Sequence, residues 1–362
     1  MSTSSTLPLY KQVSRSLLAK IRSGELSVGG KTLGERRLAK AMGISRGTAS
    51  LALRELARSG YLERNVGSGT YVSSEKTYHL LHLTIVSTIQ EISLKYQSYS
   101  NWLTMSGLYR GMQSACAEWD AQLSFRCSPQ TLSKTEAFRL ANELSLDNDA
   151  LVITNDVPEN LQNALANTGV LLFSSDEIAS PKARIVTYDR QAICHDAAAY
   201  LLSKGYRTCG ILLNSLDSNN TILKIKGFTA KTKFGQLDLL PQWIIELPND
   251  NNYAVLSTAM AEKLPKKTAG FPDVFLTITP AYSLEFRKLA GLRGWCLPQD
   301  VALLGYGNDD NESFSPLPLT YIRIPYAEIG SEIIRLVNHI VRQHQELPAS
   351  LLPSKLVLGQ TT

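Results

Sequence analysis

Ser45, Arg46, Gly47 and Ser50 lie within six residues of one another, in the stretch GISRGTASLALREL at 43–56. A serine able to cap a helix, a guanidinium, a residue with no side chain and a second hydroxyl do not make an acid–base catalyst. They suit a polyanion. Free N–H groups in a helix's first turn accept phosphate, and an arginine fork reaches a guanine edge. Gly47 costs about 1 kcal/mol in a helix relative to Ala, so close backbone approach to a partner is the reading that accounts for it. Thr48 falls to the side of this stripe, where it would meet phosphate rather than bases.

No comparable set of catalytic groups occurs elsewhere. The five histidines (His79, His82, His195, His339, His344) form no HxxxH or HExxH pair. The five cysteines (Cys116, Cys127, Cys194, Cys209, Cys296) form no CxxC pair, the pattern of reduced thiols rather than of disulfides or zinc. There is no Gly-x-Ser-x-Gly elbow and no dinucleotide fingerprint. Gly67-Ser68-Gly69 lacks the Lys-Ser/Thr of a phosphate loop and reads as a hairpin turn. Asp309-Asp310-Asn311-Glu312 matches no calcium loop. The expectation is a protein without catalytic residue, metal or cofactor, and therefore not an enzyme.

The elements around Arg46 are legible from their periodicity. Val13, Leu17 and Ile21 recur every four residues on a first helix. A second, Glu35 to Met42, is expected to bury Leu38, Ala39 and Met42. On the third, Ala49, Ala52, Leu53 and Leu56 form a core-facing stripe, leaving Arg46, Gly47, Ser50 and Arg54 on another side. YLERNVGSGTYV then reads as a β-hairpin. Three helices and a hairpin describe a winged helix-turn-helix. Residues 1–76 carry thirteen Lys/Arg against five Asp/Glu, a net of +8, which leaves −3 on the remainder of a chain whose total is +5. A basic head on a slightly acidic body points to a nucleic-acid partner for the head alone.

Ser73-Ser74-Glu75-Lys76-Thr77 reads as a linker. Beyond it strands alternate with helices: 82–88, 150–154, 169–175, 184–189, 208–214, 273–279, 300–307 and 321–325 are the strand candidates. That alternation predicts parallel sheets covered by helices on both faces. No run approaches the roughly 18 apolar residues of a membrane span, and the N-terminus lacks the apolar stretch of a secretion signal. A cytoplasmic location is the expectation.

Three segments carry a family resemblance. PLYKQVSRSLLAKIRSGEL, ERRLAKAMGISRGTASLALREL and SGYLERNVGSGTYV resemble the GntR-family DNA-binding domain. The resemblance implies that Arg36 and Arg46 contact DNA, with Ser45, Gly47, Thr48 and Ser50 at the recognition helix and Gly67 at the wing tip. The body resembles the LacI/GalR effector domain, in VTYDRQAICHDAAAYLLSKGYRTCGIL, GWCLPQDVALLGYGND and SPLPLTYIRIPYAEIGSEIIRLV. Together they resemble arabinose-type repressors in architecture.

The implied fold class is α/β: a winged helix-turn-helix (1–76, linker about 73–77) followed by a two-lobed, doubly wound, periplasmic-binding-protein-like domain (78–362). One lobe would comprise about 78–187 and 319–346, the other about 189–318 and 347–362. The resemblance further implies a homodimer, a double-stranded operator, and a small-molecule effector, a carbohydrate or an anionic derivative, in the inter-lobe cleft. Trp102, Asn155, Ser174, Lys224, Thr279 and Asn308 are the cleft candidates it leaves. Trp102, placed just before a helix, would stack on ligand or pack in its lobe; Asn155 would offer an amide or form a turn. Lys224 stands where sugar-binding members have an Arg, and either meets an anionic group or lies on the helix surface. Gly307 and Ile278-Thr279 replace the polar residues with which those members hold sugar hydroxyls. The cleft is thus expected to take an atypical ligand, or none if the body only oligomerises or docks a protein.

Overall fold

A computed structural model describes residues 9–362 apart from 23, 59, 66, 74–79, 89–98, 155, 177–179, 249–252, 265, 266, 268, 269, 308–316, 344, 346, 349 and 350. The head contains α1 (Leu9–Arg22), α2 (Glu35–Met42), α3 (Arg46–Arg58), β1 (Leu62–Asn65) and β2 (Gly69–Val72). Its core joins Val13 and Leu17 of α1, Leu38 of α2, the whole stripe Ala49, Ala52, Leu53 and Leu56, and Leu62 and Val72 of the wing. Gly43 closes α2 in the left-handed region, at φ 64°, its N–H donating to the Ala39 carbonyl, which sets the tight turn into α3. β1 and β2 pair antiparallel, Leu62 opposite Val72. Met42, expected in this core, is 38 % exposed. The turn at Gly43 begins there and carries it past the edge of the contact.

The first lobe runs β3 (Leu81–Ser87), α4 (Tyr99–Glu118), β4 (Ala121–Cys127), α5 (Lys134–Asp147), β5 (Ala150–Ile153), α6 (Glu159–Ala166), β6 (Leu171–Ser174) and β7 (Arg184–Ile185). Its five strands are parallel, in the order β4-β3-β5-β6-β7. Next come β8 (Thr187–Tyr188), α7 (Arg190–Ser203), β9 (Thr208–Leu213), α8 (Asn219–Phe228), β10 (Asp238–Glu246), α9 (Tyr253–Lys263), β11 (Val274–Thr277), α10 (Pro280–Leu292) and β12 (Ala302–Gly307). The chain ends with β13 (Thr320–Arg323), α11 (Tyr326–Gln343), β14 (Leu351–Leu352) and β15 (Lys355–Val357). The second sheet is ordered β10-β9-β11-β12-β13-β15, with only β15 antiparallel to its neighbour.

Two sheets and two fully buried strand sets explain why these segments read as near-continuous apolar runs: β5 and β11 are buried at every residue. The expected assignment of 319–346 to one lobe divides. β13 pairs with β12 and β15, so it belongs to the second sheet. α11, which follows it, returns to pack on α4. Gly111 and Gly330 permit that packing, since a Cβ on either would collide with the facing helix's backbone at Ala327 and Leu108. β4 and β10, each at a sheet edge with five of seven and four of nine residues exposed respectively, were not among the expected strands, because their apolar signal is diluted by polar residues. The lobes are joined at β8–α7, at β13–α11, and from α11 back to β15; the short parallel pair β8–β14 lies at these crossings.

Candidate nucleic-acid interface and inter-lobe site

α3 starts at Arg46 because Ser45 caps it. The Ser45 hydroxyl oxygen accepts from the Thr48 N–H at 3.1 Å and shares a hydrogen bond with the Thr48 hydroxyl at 2.8 Å. Arg46 remains 62 % exposed. A Cβ on Gly47 would meet nothing nearer than the Ser45 hydroxyl oxygen at 3.7 Å, so the first turn of α3 faces open space. That is the condition for a helix tip to approach a nucleic-acid backbone.

Glu35, at the start of α2, organises the tip. It accepts from the Ser50 hydroxyl at 2.8 Å and pairs with Arg46 at 3.4 Å and Arg64 at 3.5 Å. The Ser50 hydrogen bond, reinforced by the two guanidiniums, holds the Glu35 carboxyl below the usual carboxylate range. Ser50 is therefore tied to α2 rather than free for a partner, and Thr48 is half-buried. Arg36, Arg37, Lys40 and Arg54 are exposed. Gly67, at φ 80°, shapes the wing turn. The head also touches the body: the Tyr61 hydroxyl donates to Asp149 at 3.2 Å, and the other Asp149 oxygen accepts from the His82 N–H.

The second site collects at the carboxyl ends of β6, β9, β11 and β12, where two-lobed α/β proteins leave a crevice. Asp189 caps α7, accepting from the Ala192 N–H at 2.9 Å. The next residue, Arg190, is only 9 % exposed; it pairs with Asp176 at 2.8 Å and lies over the Tyr188 ring. Asp176 also accepts from the Asn220 amide at 2.7 Å. This carboxylate of the first lobe thus grips two side chains of the second.

One turn along α8 from Asn220 lies Lys224, 8 % exposed. Its ammonium donates to the Ile278 carbonyl at 3.1 Å and sits 4.2 Å from the centre of the Tyr306 ring. Burial draws its pKa down to about 8. Tyr306 is fully buried and shares a 2.9 Å hydrogen bond with the Cys194 thiol, which burial pushes up to about 12. Close packing of α8 on α7 makes this possible: a Cβ on Gly227 would strike the Gln191 carbonyl and the Cys194 side chain.

Of the sequence-derived cleft residues whose side chains are described, Lys224 alone enters this cluster with its functional group, and it is buried rather than on the helix surface. Ser174 is buried, its hydroxyl oxygen accepting from the Asp176 N–H. Thr279 caps α10, accepting from the Tyr282 N–H. Trp102 lies inside α4 rather than before it; its side chain, and Asn155 and Asn308 entirely, lie outside the described residues. Sequence reasoning missed Asp176, Asn220 and the roles of Arg190 and Tyr306. Only Arg190, a charge directly after a helix cap, carried a local signal.

The comparisons with known proteins divide along the same boundary. Residues 9–72 match the bacterial regulatory proteins of the gntR family, and residues 198–362 match the periplasmic binding protein-like domain. Over 349 residues the chain is 20 % identical to the arabinose metabolism transcriptional repressor of Geobacillus stearothermophilus, spanning 93 % of this chain and 92 % of that protein. Among solved structures, the transcription regulator CcpA of Lactococcus lactis superposes with a TM-score of 0.61 at 13 % identity, covering 78 % of this chain and 99 % of the other. A LacI family transcriptional regulator from Enterococcus faecium, with bound ribose, gives 0.62 at 18 % identity, covering 78 % and 98 %. At such identities the superpositions establish the fold, and they agree with the α/β, two-lobed expectation. No helix among the described residues is long and apolar enough to cross a membrane.

Proposed function

We propose that this chain, a transcriptional regulator joining a gntR-family DNA-binding head to a periplasmic-binding-protein-like body, is a cytoplasmic, non-enzymatic repressor that binds a palindromic operator as a homodimer. A small molecule, a sugar or sugar derivative, would bind between the lobes and change the affinity of the head for DNA. The observation that carries the DNA reading is the open first turn of α3, where Arg46 and Gly47 meet solvent on a head of net charge +8. Arg36, Ser45, Thr48 and the wing at Gly67 are the proposed flanking contacts. Ser50 is assigned a positioning role through Glu35.

The dimer supplies two such tips, and closure of the lobes on a ligand would alter their spacing. Arg46→Ala is expected to weaken operator binding by about 10–100-fold and to reduce its salt dependence, read by fluorescence anisotropy over a salt series. Unchanged affinity and slope would show that α3 does not enter DNA.

The second reading treats the body as a ligand-blind module for oligomerisation or protein docking. It draws on the Asp176–Arg190–Asn220 network, which satisfies much of the cleft's polarity from within. Calorimetry with sugars, sugar acids, sugar phosphates and nucleosides separates the two: a saturating ligand that moves operator affinity eliminates the second.

A further inference from the structure

We propose that the inter-lobe site selects a hydroxylated organic anion, whose acid group is held by Lys224 and one of whose hydroxyls donates to Asn220. This rests on the reading that the cleft holds an effector, and adds the chemical class.

The charge balance comes first. Lys224 is buried, yet the two partners it has among the described residues, the Ile278 carbonyl and the Tyr306 ring, are both neutral. The carboxylate that acts on it electrostatically is Asp176, and Asp176 is already gripped by Arg190 and Asn220. Among the described residues, two buried cations therefore share one carboxylate. A buried ammonium to which the described residues give no counter-ion of its own is costly, and of its three donors they engage one. A ligand carboxylate or phosphate would fill that deficit. A neutral sugar would leave it, and a metal ion would be repelled.

Asn220 makes the second observation, independent of charge. Its Nδ2 must face the Asp176 carboxylate, because an amide oxygen there would oppose an acceptor. That fixes Oδ1 on the other side, where it is buried with no hydrogen-bond partner among the described residues. A buried acceptor left open asks for a donor. Asn220 and Lys224 are four residues apart on α8 and so lie on one face. A single molecule bearing an acid group and a neighbouring hydroxyl answers both. Hydroxy acids and phosphate esters of sugars share that chemistry.

The test uses the full-length protein and matched sets of hexoses and pentoses: neutral sugar, corresponding sugar acid, corresponding sugar phosphate. Binding is read by calorimetry. The expected result is that at least one anion binds roughly tenfold or more tighter than its neutral parent. Lys224→Met should bring that ratio close to one, while Lys224→Arg retains it. Acid and phosphate arms identify which anion is taken. Asn220→Asp, which adds a charge beside the anion, should remove anion binding and serves as a second variant; operator binding by each variant confirms that it is folded.

Neutral sugars binding as tightly as their acids and phosphates would overturn the anion assignment, and so would an absence of binding by every anion at millimolar concentration. In either case operator binding, measured on the same preparation, decides the DNA reading separately. A neutral sugar that binds and shifts operator affinity would leave the effector reading intact while ending this one.

Discussion

The head's tip and the inter-lobe site are built from the same parts in opposite surroundings. At the tip, one carboxylate, Glu35, faces two guanidiniums and a serine, with Arg46 62 % and Arg64 36 % exposed. In the cleft, one carboxylate, Asp176, faces a guanidinium, an amide and a nearby ammonium, with Arg190 and Lys224 9 % and 8 % exposed. Water screens the first set, so its pairs form and part at little cost. That suits a surface whose cations must exchange an internal carboxylate for an external phosphate. The second set is shielded from water, so each charge must be answered within the structure or by a ligand. One arrangement is an exchangeable counter-ion; the other is a charge deficit.

The comparison can be broken most sharply at Asp176. Replacing it with Ala removes the carboxylate that the described residues set against Arg190 and Lys224, and should cost about 2–4 kcal/mol in a urea titration. A loss below about 0.5 kcal/mol, the level of an exposed pair, would mean that the cleft is as wet as the tip.

Lys224 tests the same contrast with the opposite sign. Its folded pKa lies near 8, below the ordinary 10.5, because burial disfavours the charged form. Between those values the unfolded chain binds more protons, so this group makes stability rise as pH increases from about 8 to 10.5. At pH 7 its charge is a burden on the fold. Lys224→Met should therefore stabilise the protein by about 1–3 kcal/mol at pH 7 and flatten the rise above pH 8, both visible in melting curves across pH. Destabilisation by Met would show that the Ile278 hydrogen bond and the Tyr306 contact outweigh desolvation.

Glu35→Gln should have the smallest effect on stability, under about 1 kcal/mol. Its consequence lies in binding: with Arg46 and Arg64 released, operator affinity at low salt should increase by about threefold, and the gain should fade as salt screens it. A loss of affinity instead would identify Glu35 as the group that aims Arg46.

The two sites differed as much in legibility as in burial. Arg46, Gly47 and the Ser45 cap lie within three residues, and their exposure followed from the stripe of Ala49, Ala52, Leu53 and Leu56 turning the other way. Local periodicity was enough. Met42 escaped that logic because the turn at Gly43, rather than the helical repeat, decides where it points. In the cleft, Asp176 lies 14 residues from Arg190 and 44 from Asn220, and Lys224 lies 54 from the carbonyl it contacts. Lys224 was singled out only through its place in a family-like segment, which left open whether it was buried. Ser174 ends β6 and Thr279 lies two residues past β11, and the hydroxyl oxygens of both accept from nearby backbone N–H groups.

The sequence by itself determined the modules: periodicity specified the helices of the head, apolar runs the inner strands of the body, and charge distribution the end that meets a polyanion. These are properties of short stretches, set by which side chains must leave water. The tertiary structure alone decided which charges share a carboxylate and which amide oxygen finds no donor among the described residues. Those outcomes depend on where two sheets and three crossings bring distant strand ends together, and no local pattern encodes that distance.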